Sequence, residues 1–147
     1  MLSGCLFRLY YSVLPQTSQV EKGQHMDKTH NHTSEYQDLL QGLAASNRSL
    51  REHIPEVFHG YAAMSGAAMA DGAFPRKVKE LIALAMGVTA RCDGCIASHA
   101  RGAAKNGATR QEVAETLGIA VMMNGGPGTV YVARAWDAYL EFAEDTQ

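Results

Sequence analysis

Apolar residues along this chain recur every three or four positions, and no stretch shows the alternation of apolar and polar residues that is typical of a half-buried strand. Alanine, leucine, methionine and glutamate, which favour helices, fill the segments between glycine, proline and asparagine breaks. This pattern predicts an all-α fold, with a single helical domain of about six helices. Ser34 can cap the first of them. The predicted helices cover, approximately, residues 34–47, 55–70, 75–89, 92–106, 109–125 and 128–144.

Individual residues mark where these helices begin and end. Pro75 stands where a proline is tolerated in a first helical turn. Gly107 is placed to end the fourth helix, and Thr109 with Glu112 three positions later forms a capping box that begins the fifth. Residues 81–86 are apolar on nearly every side of a helix, so we expect the third helix to be central.

Residues 1–33 differ in character from the remainder and are predicted to be an N-terminal extension, with the helical domain covering residues 34–147. Residues 2–14 are apolar and aromatic, but no basic segment precedes them as in a signal peptide. Residues 16–34 are polar and are predicted to be disordered. Met26 opens a shorter sequence that holds every motif described below, so we expect the extension to have no catalytic role.

Composition and charge exclude several classes of function. The 147 residues carry a net charge of −2, with no basic run of the kind that binds nucleic acid. The longest uncharged stretch, residues 116–133, is broken by Asn-Gly-Gly-Pro-Gly at 124–128, which argues against a membrane span. Three cysteines are too few for a disulfide-stapled secreted fold. We therefore expect a cytoplasmic protein with no nucleic-acid or membrane partner.

The residues with the clearest chemical meaning form the run Cys-Asp-Gly-Cys-Ile-Ala-Ser-His, from Cys92 to His99. At the start of a helix, unpaired backbone N–H groups and the helix dipole favour a thiolate over a thiol. A Cys-x-x-Cys pair can also close a disulfide and reopen it by exchange, which predicts a redox site. The helix start favours Cys92 as the thiolate, whereas His99, one turn away on the same face, favours Cys95. The residues alone leave these two roles open.

Other interpretations of the cysteine pair fit less well. A structural zinc site needs four ligands, usually from a second pair, and the remaining cysteine, Cys5, is far away in the sequence. His53 or His59 could complete such a site, but neither has ligand spacing to a partner. Haem attachment requires a histidine where Ile96 stands. A purely structural disulfide with this spacing closes a very small loop and stabilises little.

Together these residues resemble the alkylhydroperoxidase D-like branch of the carboxymuconolactone decarboxylase superfamily. The resemblance rests on Glu80, the Cys92–His99 motif, Gly-Ala-Thr-x-x-Glu-Val at 107–113 and Met-Met-Asn-Gly-Gly at 122–126, and it covers roughly residues 52–142. It implies an all-helical fold that assembles as a homo-oligomer, a trimer or a hexamer. It also implies a two-cysteine enzyme that reduces hydroperoxides and passes the oxidising equivalents on as a disulfide.

The resemblance further implies a role for each site residue. Glu80 would be the acid of a proton relay and His99 its histidine. Cys95 would be the thiol that attacks peroxide, and Cys92 the thiol that resolves the intermediate. Some peroxidases of the family carry a histidine directly before the second cysteine, where this chain has Gly94, so the relay here differs from theirs. Gly94 also gives the loop backbone freedom and opens access to sulfur.

The residues by themselves offer a different role for Glu80. On a helix it follows Arg76 by four positions and Lys77 by three, which is the spacing of surface ion pairs. Such pairs contribute a few tenths of a kcal/mol to stability. In that interpretation Glu80 would have no part in the thiol chemistry.

Three functions follow from these observations. The first is a thiol peroxidase that uses a hydroperoxide substrate and a dithiol or protein reductant, without cofactor or metal. The second is a lactone decarboxylase, which ranks lower because that reaction needs no cysteine pair. The third is a non-enzymatic, redox-responsive binding protein. The nearly all-apolar helices of so small a chain need cover, which also predicts a homo-oligomer.

Overall fold

Helix is the only regular structure in residues 34–144, the part of the chain that the computed structural model describes. The all-α prediction is confirmed, with five helices in these residues where about six were predicted. The predicted extension, residues 1–33, lies outside the described residues. None of the described helices combines the length and hydrophobicity needed to cross a membrane. The helices are α1 (Glu35–His53), α2 (Pro55–Met69), α3 (Arg76–Ala90), α4 (Asp93–Lys105) and α5 (Arg110–Glu144).

The last two predicted helices, 109–125 and 128–144, follow each other directly in α5 and meet at a sharp kink at Gly125. This glycine has φ 61° and ψ −144°, a conformation that residues with a β-carbon rarely adopt, and Pro127 follows it inside the helix. The side chain of Asn124 braces the bend, since its Nδ2 donates to the Ala120 carbonyl (2.8 Å) and to Thr89 Oγ1 at the end of α3 (3.0 Å). The predicted break is therefore a kink and not a loop.

Helices α3, α4 and α5 pack on one another around a core of small residues. Helix α4 also contacts α1, so the central position belongs to α4. The prediction that α3 is central was wrong, because Ile82 and Met86 lie 46% and 66% exposed on its outer face. Alanine side chains on α4 let its neighbours approach closely. The fully buried residues include Leu84 of α3, Ile96, Ala97, Ala100 and Ala103 of α4, and Val113, Ala135 and Ala138 of α5.

Most predicted helix boundaries agree with the structure to within one or two residues. The first helix is the exception: it was predicted to end near residue 47 but runs to His53, because no glycine or proline follows residue 47 before Pro55. Gly107 has φ 73°, as a helix-ending glycine does. The capping box forms as predicted, because Thr109 Oγ1 accepts from the Glu112 N–H (3.2 Å) and Glu112 Oε2 accepts from the Thr109 N–H (2.7 Å). The ammonium of Lys77 on α3 lies 2.7 Å from Glu112 Oε1; it and the Thr109 bonds lower the pKa of Glu112 to about 2. Pro75 directly precedes α3 instead of opening it.

The start of α1 is capped by a residue from the far end of the chain. Glu141 of α5, only 8% exposed, accepts hydrogen bonds from the backbone N–H groups of Tyr36 (3.2 Å) and Gln37 (2.9 Å). Ser34 precedes the helix as predicted, but its hydroxyl donates to Asp38 Oδ2 and caps no N–H group. A buried carboxylate from α5 therefore fixes where α1 lies against the core.

Helix α2 makes little contact with this core. None of its residues is buried, and Val57, Tyr61 and Met64 are each 63% exposed. Its proline, Pro55, occupies the first turn as expected. In the described chain, α2 leaves an apolar surface uncovered.

Removing the Glu141 carboxylate should destabilise the protein. We expect Glu141→Ala to lower the free energy of unfolding by about 1–3 kcal/mol, because two N–H groups of α1 lose their acceptor in a buried place. Ser34→Ala is the matched control and should change stability much less, since its hydroxyl caps no N–H group. Urea unfolding followed by circular dichroism measures both, and equal stability of Glu141→Ala and wild type would contradict this role.

Candidate redox site

The two motif cysteines form a disulfide at the start of α4. Their Cα atoms lie 5.2 Å apart, with Cys92 at the N-cap position and Cys95 in the first helical turn. The pair lies at the start of a helix, as predicted. Arg91, which directly follows α3, adopts the left-handed conformation (φ 54°) and turns the chain from α3 into α4. The Sγ of Cys92 accepts a hydrogen bond from the Cys95 N–H at 3.2 Å.

The two cysteines differ in their surroundings. Cys95 is exposed, whereas Cys92 is only partly exposed. The N–H bond to Cys92 Sγ is the interaction by which a helix start stabilises negative charge on sulfur. Exposure therefore favours Cys95 as the sulfur that meets another molecule, and the helix start favours Cys92 as the sulfur that carries charge.

A buried glutamate holds the motif histidine in place. Glu80 of α3 is 4% exposed, and its Oε2 accepts a hydrogen bond from His99 Nδ1 at 2.8 Å. A carboxylate can only accept, so in the neutral imidazole the proton sits on Nδ1 and Nε2 keeps its lone pair. His99 is 31% exposed through its side chain and can use Nε2 as a base.

The same glutamate also forms the ion pair that sequence spacing suggested. Arg76 Nε donates to Glu80 Oε1 at 2.8 Å, so each carboxylate oxygen has its own partner. The other candidate partner, Lys77, pairs with Glu112 instead. The ion pair and the contact with His99 thus coexist. Pairing with a guanidinium compensates the desolvation of a buried carboxylate.

The Glu80 carboxyl group occupies a gap in α4 that only glycine leaves open. A β-carbon at Gly102 would overlap Cδ and Oε2 of Glu80 and lie 2.8 Å from Oε1. Gly102 is one turn beyond His99, so the gap faces the same pair. Sequence reasoning missed this residue. A glycine inside a helix costs about 1 kcal/mol relative to alanine, so it usually has a packing reason. The presence of Gly102 in the helix, one turn after His99, was therefore a signal that another group packs there.

Gly94 lines the cleft beside the two cysteines, and Leu43 of α1 packs against it. A β-carbon there would lie 2.8 Å from Leu43 Cδ1, because this leucine of α1 covers the position. Where some family members carry a histidine, this chain therefore has glycine with an aliphatic side chain packed over it. Gly87 of α3 makes a related close approach, since its β-carbon would lie 3.3 Å from the Ile96 nitrogen.

An ion pair fixes the start of α4 to α5. Arg134 Nη1 donates to both carboxylate oxygens of Asp93, at 3.0 and 3.1 Å. This contact with Asp93 raises the pKa of the Arg134 guanidinium. Both side chains are about half exposed, so the pair adds little stability, but it orients the turn that carries the cysteines.

The disulfide and the histidine open into one cleft of about 610 Å³. Its far wall is a stripe of α1, and Tyr61 of α2 closes one side. Among residues 34–144, no group of three or more histidine, cysteine or acidic side chains could hold a metal ion. The lining residues are Leu40, Leu43, Ala44, Asn47, Arg48, Arg51, Tyr61, Cys92, Gly94, Cys95, Ser98 and His99.

Comparison with known proteins points to one family. The sequence pattern that defines the carboxymuconolactone decarboxylase family matches residues 55–138 of this chain. An uncharacterized protein of Cupriavidus necator is 39% identical over 101 residues, covering 67% of this chain and 89% of its own. One from Haemophilus influenzae is 41% identical over 90 residues, covering 61% and 80%. A crystal structure of a carboxymuconolactone decarboxylase family protein from Legionella pneumophila has a TM-score of 0.74 at 39% identity, covering 76% of this chain and 99% of that one.

Filling the gap at Gly102 should displace Glu80 from His99. We expect Gly102→Ala to destabilise the protein by about 1–3 kcal/mol, as overpacking does, and to slow thiol alkylation in the reduced protein at neutral pH. The matched control is Gly118→Ala on α5, where a β-carbon meets nothing within 4 Å. That substitution should stabilise by about 0.4–1 kcal/mol and leave alkylation unchanged. Thermal unfolding and iodoacetamide kinetics measure both, and identical behaviour of the two variants would contradict the packing argument.

Proposed function

The chain belongs to the carboxymuconolactone decarboxylase family, and within that family we propose that it is a thiol peroxidase that reduces organic hydroperoxides through Cys92 and Cys95. One observation carries the proposal: the Cys92–Cys95 disulfide shares a cleft with His99, whose Nδ1 is hydrogen-bonded to the buried Glu80. The pair supplies two electrons, and the histidine supplies a place for the proton that leaves sulfur.

In the proposed cycle the Cys95 thiolate attacks the terminal oxygen of the hydroperoxide, and the O–O bond breaks. The alkoxide leaves and takes up the proton from the thiol to become an alcohol, while Cys95 becomes a sulfenic acid. The Cys92 thiol then attacks the oxidised sulfur, the S–S bond forms, and water leaves with the sulfenic hydroxyl and the thiol proton. An external dithiol reduces the disulfide by exchange and is itself oxidised to a disulfide.

The surroundings of each group support these roles. His99 takes the thiol proton on Nε2 and returns it to the alkoxide, and its contact with Glu80 fixes the ring for both transfers. The reductant meets Cys95 first, because that cysteine is exposed. Cys92 then leaves as a thiolate, and the Cys95 N–H bonded to its sulfur stabilises that charge. The attacking sulfur and the leaving sulfur thereby have different environments that suit their tasks.

We also propose that the chain works as a homo-oligomer in the cytoplasm. Between α3 and α5 lies an apolar groove lined by residues that include Ile82, Met86, Ile119 and Met123, and these four are 46–73% exposed. Helix α2, which has no buried residue, presents a second apolar surface. Exposed apolar area of this kind is typical of subunit contacts. A reducing compartment supports the cycle because its thiol pools return the disulfide to the dithiol.

A steady-state assay with tert-butyl hydroperoxide and dithiothreitol tests the peroxidase. We expect the wild type to turn over, Cys95→Ser to lose activity altogether, and Cys92→Ser to form a sulfenic acid that a dimedone probe captures. The whole series is built on Cys5→Ser, so that one equivalent of peroxide removes two thiols from each chain only if the pair reacts.

Two results would contradict the proposal. Thiol counts that stay constant under peroxide, together with release of carbon dioxide from carboxymuconolactone, would favour a decarboxylase. Loss of both thiols without turnover by any dithiol would favour a redox-responsive binding protein.

A further inference from the structure

The cleft above the disulfide carries positive charge that the proposed cycle does not use. Arg48 and Arg51 of α1 line it, together with Cys92, Cys95 and His99. They stand three positions apart, on one face of the helix. No aspartate or glutamate is among the cleft's lining residues, and Glu80 lies buried behind His99.

Neither arginine has a carboxylate partner among residues 34–144. The Arg51 guanidinium lies 5.2 Å from the ring centre of Phe58, an interaction that orients its donors but does not neutralise its charge. Arginine side chains elsewhere in the site differ in this respect, since Arg76 pairs with Glu80 and Arg134 with Asp93. The two arginines at the cleft thus keep their hydrogen-bond donors available for an anion.

The remaining lining of the cleft is apolar except for Asn47 and Ser98. Leu40, Leu43 and Ala44 of α1 and the ring of Tyr61 form its walls. A volume of about 610 Å³ is in the range that holds a small organic ligand. The cleft therefore offers apolar walls for the body of a ligand, the cysteine sulfur atoms on one side and the guanidinium groups of Arg48 and Arg51 on another.

We propose that Arg48 and Arg51 form a carboxylate subsite and that the preferred substrate is an organic hydroperoxide with an apolar body and a carboxylate. This inference rests on the proposed function. The guanidinium groups hold the carboxylate, the aliphatic wall takes the body, and the peroxide group lies toward Cys95. The redox step is the one already given: the hydroperoxide is reduced to its alcohol, and the cysteine pair is oxidised to the disulfide. The carboxylate itself takes no part in it.

Two hydroperoxides that differ only in charge test the subsite. We expect the wild type to reduce 4-carboxycumene hydroperoxide with a kcat/KM about tenfold above that for cumene hydroperoxide, mainly through KM. Arg48→Gln/Arg51→Gln should remove this preference while the kcat/KM for cumene hydroperoxide stays within about twofold. Added salt should weaken the preference in the wild type, because an exposed charge contact is screened.

The matched control is Arg101→Gln/Lys105→Gln. It removes the same charge from α4 residues that line a different depression, outside the disulfide cleft, and should leave the preference intact. Binding of 4-isopropylbenzoate to the oxidised protein, measured by calorimetry, gives a readout that needs no turnover. The arginine pair should be required for this binding, and the control pair should not.

The outcomes separate the two proposals. Absence of 4-isopropylbenzoate binding to the wild type, or equal loss of binding in both double variants, overturns the carboxylate subsite. A preference for the charged hydroperoxide that survives Arg48→Gln/Arg51→Gln overturns it as well. Failure of the wild type to reduce either hydroperoxide, with arginine-dependent binding of 4-isopropylbenzoate retained, counts against the peroxidase and supports the subsite.

Discussion

The site depends on the buried carboxylate of Glu80. One oxygen accepts from Arg76 of the same helix, and the other accepts from His99 of α4. This carboxylate fits against α4 only because Gly102 leaves room for it. Of these three side chains only the Glu80 carboxylate is buried, and both the packing of α3 on α4 and the orientation of the histidine depend on it.

The reactive end of the site is assembled from elements that are far apart in the sequence. Glu141, near the end of α5, caps α1 and so positions the helix that forms one wall of the cleft. Arg134, also on α5, holds Asp93 beside the cysteines. Helix α5 therefore positions both α1 and the turn that carries the cysteines, although no residue of α5 lines the cleft. Cys95 is exposed at this cleft, as the proposed cycle requires of a sulfur that meets two reactants in turn.

Local signals in the sequence predict much of this arrangement. The spacing of Cys92, Cys95 and His99 within one helix start needs no tertiary information, and the capping box at Thr109 is equally local. The role of Glu80 is harder to predict from the sequence. Its spacing from Arg76 predicts an ion pair, but it does not show that α4 approaches the other carboxylate oxygen. The family resemblance supplied that link.

Other features depend on contacts that periodicity does not encode. Nothing near Ser34 indicates that Glu141 caps α1, since the two elements lie about a hundred residues apart. Gly125 and Pro127 predict a break between two helices, because glycine and proline end most helices. In the structure the two halves of α5 meet at a kink, beside which Asn124 bonds to Ala120 and Thr89. The outer face of α3 is apolar too, with Ile82 and Met86 exposed on it, and so its pattern predicted a central helix.

The most direct test of the central claim is the pH profile of iodoacetamide alkylation in the reduced protein. If Glu80 and His99 act on the thiol as one unit, Glu80→Gln and His99→Gln should each move the midpoint of alkylation to higher pH. The double variant should move it no further than the larger single effect, because members of one relay fail together. Glu112→Gln, which removes a paired carboxylate away from the site, should overlay the wild type. A Glu80→Gln profile that also overlays the wild type would contradict the relay and leave Glu80 as a structural ion-pair partner alone.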